Sequence, residues 1–360
     1  MKFGVQTLHQ NSGGDLTDHD AIVRELTLAE EVESLGFDSL WTVEHHFTSY
    51  SMCPDPLQFL AFAAARTRHI ELGTMALIVP WHNPARLAGQ ITFLDNLSNG
   101  RLIVGLGRGL GRDEFEGLGV SMDESRARFR EGVDILVKGL KGDSLQYSGT
   151  VFEQAHRTIR PAAAASFHNR IYAAAVSPPS IQTVAELGVG LLVGPQKAWS
   201  ALAADVQHYA STFAALHSRP APARVVSCQV VCHRSAEIAR SLRDRYMDNY
   251  FETLMAHYEM TGEHFRGTSG YEHYSQVAEK LGTRSSASAA RGLSAVQISG
   301  DPHECIDQVA ELTELTGADH FVGNFSFGGM DLATAQSSMR LFAEQVIPAL
   351  QPAHRRKAIS

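Results

Sequence analysis

Apolar positions along this chain fall into two alternating rhythms. Residues 2–7 form a short apolar run of strand length, and 20–34 follow with Ile22, Val23, Leu26, Leu28, Ala29 and Val32 near helical spacing. Gly36 then supplies the stop that a helix C-terminus favours. The same strand-then-helix unit recurs as 37–43 with 56–67, 70–79 with 84–97, and 101–107 with 121–140. Pro84 opens the third helix in its first turn, where a missing N–H breaks no helical bond. In the second half the units are 170–175 with 180–187, 189–193 with 199–216, 223–232 with 236–258, and 320–325 with a closing helix at 332–350. Residues 145–152 read as an inserted hairpin and 301–316 as a further helix. The stretch 262–293 is polar and rich in glycine and serine, and it reads as a long lid-like segment. Strands alternating with helices imply parallel pairing through right-handed crossovers. Eight such units predict a single (β/α)8 TIM barrel over 1–360, in preference to a doubly wound open sheet.

Composition narrows the function classes. The 360 residues carry 31 Lys and Arg against 39 Asp and Glu, a net charge of −8 with no long basic run. A nucleic-acid binder needs a basic footprint, so that class is set aside. No apolar stretch approaches the ~18 residues needed to span a membrane. The opening MKFGVQTLHQNSGGDL turns polar too early for a secretory signal, so the expected setting is cytoplasmic. Four cysteines make no disulfide framework. Cys228 and Cys232 lie four apart in an expected strand, about 13 Å at ~3.3 Å per residue, and form neither a disulfide nor a zinc knuckle.

Candidate chemistry clusters at strand ends. Glu44-His45-His46-Phe47 follows the second strand, on the face where barrel enzymes place their active sites. If alternation continues past Val43, His45 falls on one side and Glu44 and His46 on the other, a poor arrangement for joint metal ligation. Neither H-x-H nor H-E-x-x-H occurs, so no metal site is expected. Gly105-Leu106-Gly107-Arg108-Gly109-Leu110-Gly111 fails the G-x-G-x-x-G fingerprint, because Leu110 and Arg112 stand where glycine is required. Its glycines still let a flat ring or a phosphate approach the backbone, and Arg108 and Arg126 can supply charge. The RDEFEGLGV that follows reads as loop. At Ser177-Pro178-Pro179-Ser180 two prolines remove two N–H donors, so an anion there leans on hydroxyls; the alternative is ordinary N-capping.

These stretches carry a resemblance. MKFGVQTL, GFDSLWTVEHHFTSY, LGTMALIVPWHNPARLAGQITFLDNLSNGRLIVGLGRGL, SRA at 125–127, GDPHECIDQVAELTELTGADHF and SSMRLFAEQVIPAL follow one another along the chain. Together they resemble the bacterial luciferase-like, flavin-dependent monooxygenase family, most weakly between about 140 and 300. The resemblance implies a (β/α)8 barrel that uses reduced FMN (FMNH2) from a separate flavin reductase. It further implies O2 as co-substrate and a flavin C4a-hydroperoxide that oxidises an aldehyde or ketone, or hydroxylates nitrogen or carbon, in a small organic molecule. By position, His45 matches the family's catalytic histidine, and Met75 and Ala76 match a non-proline cis pair beside the flavin ring. Gly107 and Leu110 match ring-side positions, and Arg108, Arg126, Ser177 and Ser180 match phosphate-side ones. Three departures stand out. Gly107 replaces a reactive cysteine, Val176 a glutamate and Pro195 a tryptophan, which argues against light emission. The family's habit of pairing barrels implies a homodimer, or a heterodimer with a related chain, through the second and third helices. Two rival readings share the barrel: a deazaflavin-dependent dehydrogenase, and a non-catalytic flavin-binding subunit, against which the retention of His45 argues.

Overall fold

A computed structural model describes residues 1–142, 144–283 and 285–351; the last residues of the expected domain, 352–360, lie outside it. Eight strands are β1 (Lys2–Thr7), β2 (Ser39–Thr42), β3 (Glu71–Thr74), β4 (Leu102–Gly107), β5 (Ile171–Ala174), β6 (Gly190–Val193), β7 (Arg224–Cys232) and β8 (Ala318–Asn324). They pair in parallel in the order β7-β8-β1-β2-β3-β4-β5-β6, and β6 closes on β7 with Val225 opposite Leu192. This is the expected (β/α)8 barrel. Leu77–Ile78 and Ile298–Gly300 add two short strands at its rim, beside β4 and β7.

Two apolar layers follow from the period of two along each strand. One face of each strand meets the helices in the larger core. The other fills the barrel with Trp41, Ile103, Leu192, Val225 and Val322, one each from β2, β4, β6, β7 and β8. Trp41 fits because Gly73 on neighbouring β3 leaves room; a Cβ there would lie 2.1 Å from the indole. Its Nε1–H donates to Ser39 Oγ at 2.8 Å, which satisfies the one polar atom it buries.

At the opposite end from the site, an ion pair ties β4 to β5. Asp95, fully buried at the end of helix Pro84–Leu97, accepts from Arg170 Nη1 at 2.8 Å. The same nitrogen donates to the carbonyls of Gly100 and Leu102.

Four expectations need correction. The third strand ends at Thr74, turns through a cis Met75–Ala76 peptide, and resumes only as Leu77–Ile78 before a 3-10 turn at Val79–Trp81. RDEFEGLGV is not all loop: Arg112–Gly117 is a short helix with Asp113 and Glu114 in its first turn. The expected fourth helix is a 3-10 turn at Met122–Glu124 followed by a helix at Ser125–Leu140. The segment 262–293 is largely helical, with a 3-10 turn at Glu263–Phe265 and helices at Glu272–Gly282 and Ser286–Ser294. It folds because Met260, Phe265 and Tyr271 bury one another, with Tyr274, Val277 and Leu281 packed alongside. The inserted hairpin is present as Ser144–Ser148 paired with Glu153–Thr158. The closing helix is interrupted by a π-turn at Phe342–Val346 just before Pro348, whose ring nitrogen has no N–H to donate a regular helical bond.

Candidate functional site

A cleft of about 260 Å³ opens at the C-terminal ends of the strands. All nine residues singled out from the sequence stand on its wall: His45, Met75, Ala76, Gly107, Arg108, Leu110, Arg126, Ser177 and Ser180. They come from the exits of β2, β3, β4 and β5 and from the helix that starts at Ser125. The barrel register therefore gathers residues spread over more than a third of the chain. Val176 also lines the cleft, whereas Pro195 lies outside it, with its carbonyl accepting from Gln297 Nε2 at 3.0 Å.

The floor is glycine backbone. A Cβ on Gly107 would stand 2.7 Å from Ile78 Cδ1 and 3.3 Å from the Ala76 methyl. Gly109 takes φ +84 and would place a Cβ 2.9 Å from Ile78 Cγ2. A flat group can thus rest on this backbone where a side chain has no room. The same crowding explains why a cysteine at 107 would require Ile78 to move.

One end of the cleft is cationic. Arg108 lies 4.1 Å over the Tyr271 ring and donates to Gly270 O at 2.8 Å. Arg126 meets Glu272 Oε2 at 3.4 Å. Ser177 and Ser180 form a reciprocal capping box at the start of helix Pro178–Leu187. N-capping is thus what these hydroxyls do here, and they remain on the cleft wall.

The two histidines of the EHH run are held by different carboxylates. β2 ends at Thr42, so strict alternation does not extend to them, and Glu44 as well as His45 reaches the cleft. Glu44 accepts from His82 Nε2 at 2.8 Å, from His46 Nε2 at 3.3 Å and from the Ile78 N–H at 2.7 Å. Burial opposes its charge, but these bonds outweigh burial and hold its carboxyl below the usual range. The Ile78 bond fastens the EHH turn to the rim strand that follows Met75 and Ala76.

His45 is paired instead with Glu114. Its Nδ1 lies 3.0 Å from Glu114 Oε1, which also accepts the His46 N–H at 2.9 Å. Oε2 of Glu114 faces His257 Nε2 at 3.4 Å. Burial again opposes the charge, yet His257 and His45 bring the Glu114 carboxyl down to about 2. His257 is shifted downward, chiefly by its own burial, and is neutral at pH 7. The bidentate Arg112–Glu259 pair, with two contacts of 2.7 Å, locks the short Arg112–Gly117 helix to the chain just beyond His257.

Sequence reasoning missed Glu114, His257 and Tyr258. The acids after Gly111 were a usable helix-start signal. His257 and Tyr258 close a helix more than two hundred residues beyond His45, and no local pattern marks them. One atom each of His45, Glu114 and His257 lies within 4.8 Å of the others, a spacing that could hold a metal ion. A motif search along the chain cannot see such a set. Hydrogen bonding accounts for more of the atoms, because it also places the His46 N–H and Thr48.

A family model described as luciferase-like monooxygenase matches residues 1–320. The chain belongs to this family. Among luciferase-like monooxygenases, 4-hydroxyprotoasukamycin monooxygenase of Streptomyces nodosus subsp. asukaensis is 30% identical over 346 residues, covering 90% of this chain and 86% of that protein. The crystal structure of monooxygenase RslO1 from Streptomyces bottropensis superposes with a TM-score of 0.81 at 28% identity, covering 98% of this chain and 100% of that one. Two more distant structures share the fold alone. The oxygenating constituent of 3,6-diketocamphane monooxygenase from Pseudomonas putida, in complex with FMN, gives TM-score 0.73 at 19% identity, with 98% and 99% covered. The coenzyme F420-dependent tetrahydromethanopterin reductase of Methanopyrus kandleri gives 0.69 at 18%, with 97% and 99% covered. A barrel of this fold thus serves both an FMN-bound protein and a coenzyme F420-dependent one. No helix among the described residues is long and apolar enough to cross a membrane.

Proposed function

We propose that this luciferase-like chain is the oxygenase component of a two-component, FMNH2- and O2-dependent monooxygenase acting on a small organic substrate. The observation that supports it best is the joint presence, on one cleft, of a glycine floor, two arginines at one end and His45 on its wall. These residues fit a reduced flavin mononucleotide. Gly107 and Gly109 would support its ring beside Met75 and Ala76, with Leu110 against the edge. Arg108 and Arg126, with the hydroxyls of Ser177 and Ser180, would hold the phosphate by exchanging the contacts to Gly270 and Glu272. When bound, reduced FMN supplies the electrons that activate oxygen.

The protein's own contribution is to bind, orient and keep water out. Trp81, Phe129 and Tyr274 give the cleft apolar walls, and Gly270 stands beside the two arginines at its cationic end. His45 moves a proton at Nε2, the ring nitrogen not turned toward Glu114. A flavin reductase delivers the cofactor, and the setting is cytoplasmic.

The direct test mixes the protein with reduced FMN and oxygen in a stopped-flow spectrophotometer. A long-lived absorbing species distinct from both oxidised and reduced FMN is expected. Immediate appearance of oxidised FMN at the rate seen without protein would sink the proposal. Turnover with reduced F420 under nitrogen would replace it with the dehydrogenase reading.

A second barrel belongs in the proposal. Phe62 on helix Pro56–Arg66 and Phe93 and Leu97 on helix Pro84–Leu97 are large apolar side chains left exposed, Phe93 and Leu97 at 57% each. Self-association through these two helices would cover them. Sedimentation is expected to report a dimer, and Phe93→Asp is expected to shift it to monomer with the fold intact. A monomeric parent protein would refute this part.

A further inference from the structure

The cleft explains which side chains surround a cofactor, but it leaves open why His45 should present one ring nitrogen rather than the other. The answer lies behind the ring. Glu114 is buried and ionised, and an ionised carboxylate only accepts hydrogen bonds. It stands between two imidazoles, so each nitrogen that faces it must carry a proton. For His45 that nitrogen is Nδ1, at 3.0 Å, and for His257 it is Nε2, at 3.4 Å.

The remaining nitrogens follow. His257 Nδ1 is then an unprotonated acceptor, and Thr48 Oγ1 sits 2.7 Å away as its donor. His45 Nε2 is likewise unprotonated, and the Tyr258 hydroxyl, on the cleft wall, stands 3.5 Å from it. Tyr50 packs both rings, flat on His257 at 4.5 Å and edge-on to His45 at 5.0 Å. A single carboxylate thereby sets two tautomers, through a hydrogen bond to His45 and a longer ion-pair contact, short of a hydrogen bond, to His257.

We propose that Glu114 and His257 are positioning residues that fix His45 as the Nδ1–H tautomer and deliver its Nε2 to the cleft as the proton acceptor, beside the Tyr258 hydroxyl. The proposal rests on the reading of His45 as the proton-transfer group. When Nε2 takes a proton from the reacting partner, the ring becomes an imidazolium against the Glu114 carboxylate. The Nε2–H bond forms as the partner's own bond to that hydrogen breaks, and the electron pair of the broken bond stays on the partner. Every titratable group packed on His45 favours that step: Glu114 is anionic, Tyr50 and Tyr258 are held neutral by burial, and His257, 5.0 Å away, is neutral rather than a second cation. Asp113, on the same helix as Glu114, adds negative field at His257.

The test reads tautomers directly, without cofactor. Ring ¹⁵N shifts of the histidines are recorded by NMR, with His45 assigned by loss of its signals in His45→Gln. Native His45 is expected as the Nδ1–H form. Glu114→Leu is expected to convert it to the Nε2–H form that a free histidine side chain favours, and to cut turnover about 100-fold with reduced-FMN binding unchanged. Glu114→Gln keeps the shape but offers an NH2 to His257, so His257 is expected to change tautomer while His45 keeps its own. This second variant carries the test if the leucine variant fails to fold. Native His45 in the Nε2–H form, or tautomers indifferent to both substitutions, overturns the proposal. A switched His45 tautomer with unchanged turnover supports the positioning and removes His45 from the reaction, so the two readings fail separately.

Discussion

Replacing His45 with alanine is expected to lower turnover with reduced FMN and oxygen by about 10²–10⁴-fold, the range that a positioned proton-transfer group contributes. Binding of reduced FMN is expected to change little. His45 stands on the cleft wall, and its bonds run to Glu114 and Tyr258 rather than to the arginine end. Removing the ring also leaves Glu114 Oε1 bonded to the His46 N–H, so the carboxylate keeps a partner and the site is expected to hold its shape. Pre-steady-state rates and a reduced-FMN titration check both halves. Unchanged turnover would remove His45 from the mechanism. Lost binding with intact chemistry would make it a cofactor contact instead.

Asp95→Ala is expected to destabilise the barrel by about 3–5 kcal/mol, the cost of breaking a buried ion pair by removing one partner. Arg170 makes bonds with four carbonyls, of Gly100, Leu102, Ala165 and Ser166, and Asp95 is the charge that balances it. The carboxylate also accepts the Ala165 N–H at 3.1 Å. Deleting it leaves a largely buried cation with only carbonyl dipoles and the Phe167 ring, 4.2 Å away, to face it. Urea unfolding followed by circular dichroism is the measurement, with the midpoint falling and the slope unchanged. A loss below about 1 kcal/mol would show that water or a shift of Arg170 replaces the carboxylate. Because this pair lies at the far end of the barrel from the cleft, turnover of the remaining folded enzyme is expected to be unaffected.

The barrel was legible in the sequence because its signal is repetitive. Seven of the eight strands fall within a residue or two of their expected places, and the rhythm of apolar runs carries them. The third is shorter than expected, because nothing in the polarity of residues 70–79 reveals that the backbone turns at Met75 and Ala76. The helices at Glu272–Gly282 and Ser286–Ser294 were hidden for a different reason. Their surroundings are polar by composition, and what orders the region is a few aromatic residues that meet only in three dimensions. At the site, each strand-end residue was visible beside a strand. Glu114 and His257 were not, because their meaning lies in a contact across the molecule with His45. Local patterns can nominate the ring that reacts. They do not show what holds it.

The helix start at Ser177 has a consequence for how an anion is captured. Pro178 and Pro179 have no N–H to give, the Ser180 amide is taken by Ser177 Oγ, and that of Ile181 by the Ser177 carbonyl. The first turn therefore has no backbone donor to spare, unlike a phosphate loop that wraps its ligand in amides. Attraction falls to two partly solvated guanidinium groups, whose pull weakens as mobile ions crowd around them. Ionic strength thus becomes the natural control on residence time. A dilute buffer is expected to prolong it and a concentrated one to shorten it, as the proposed exchange of reduced FMN at every cycle requires.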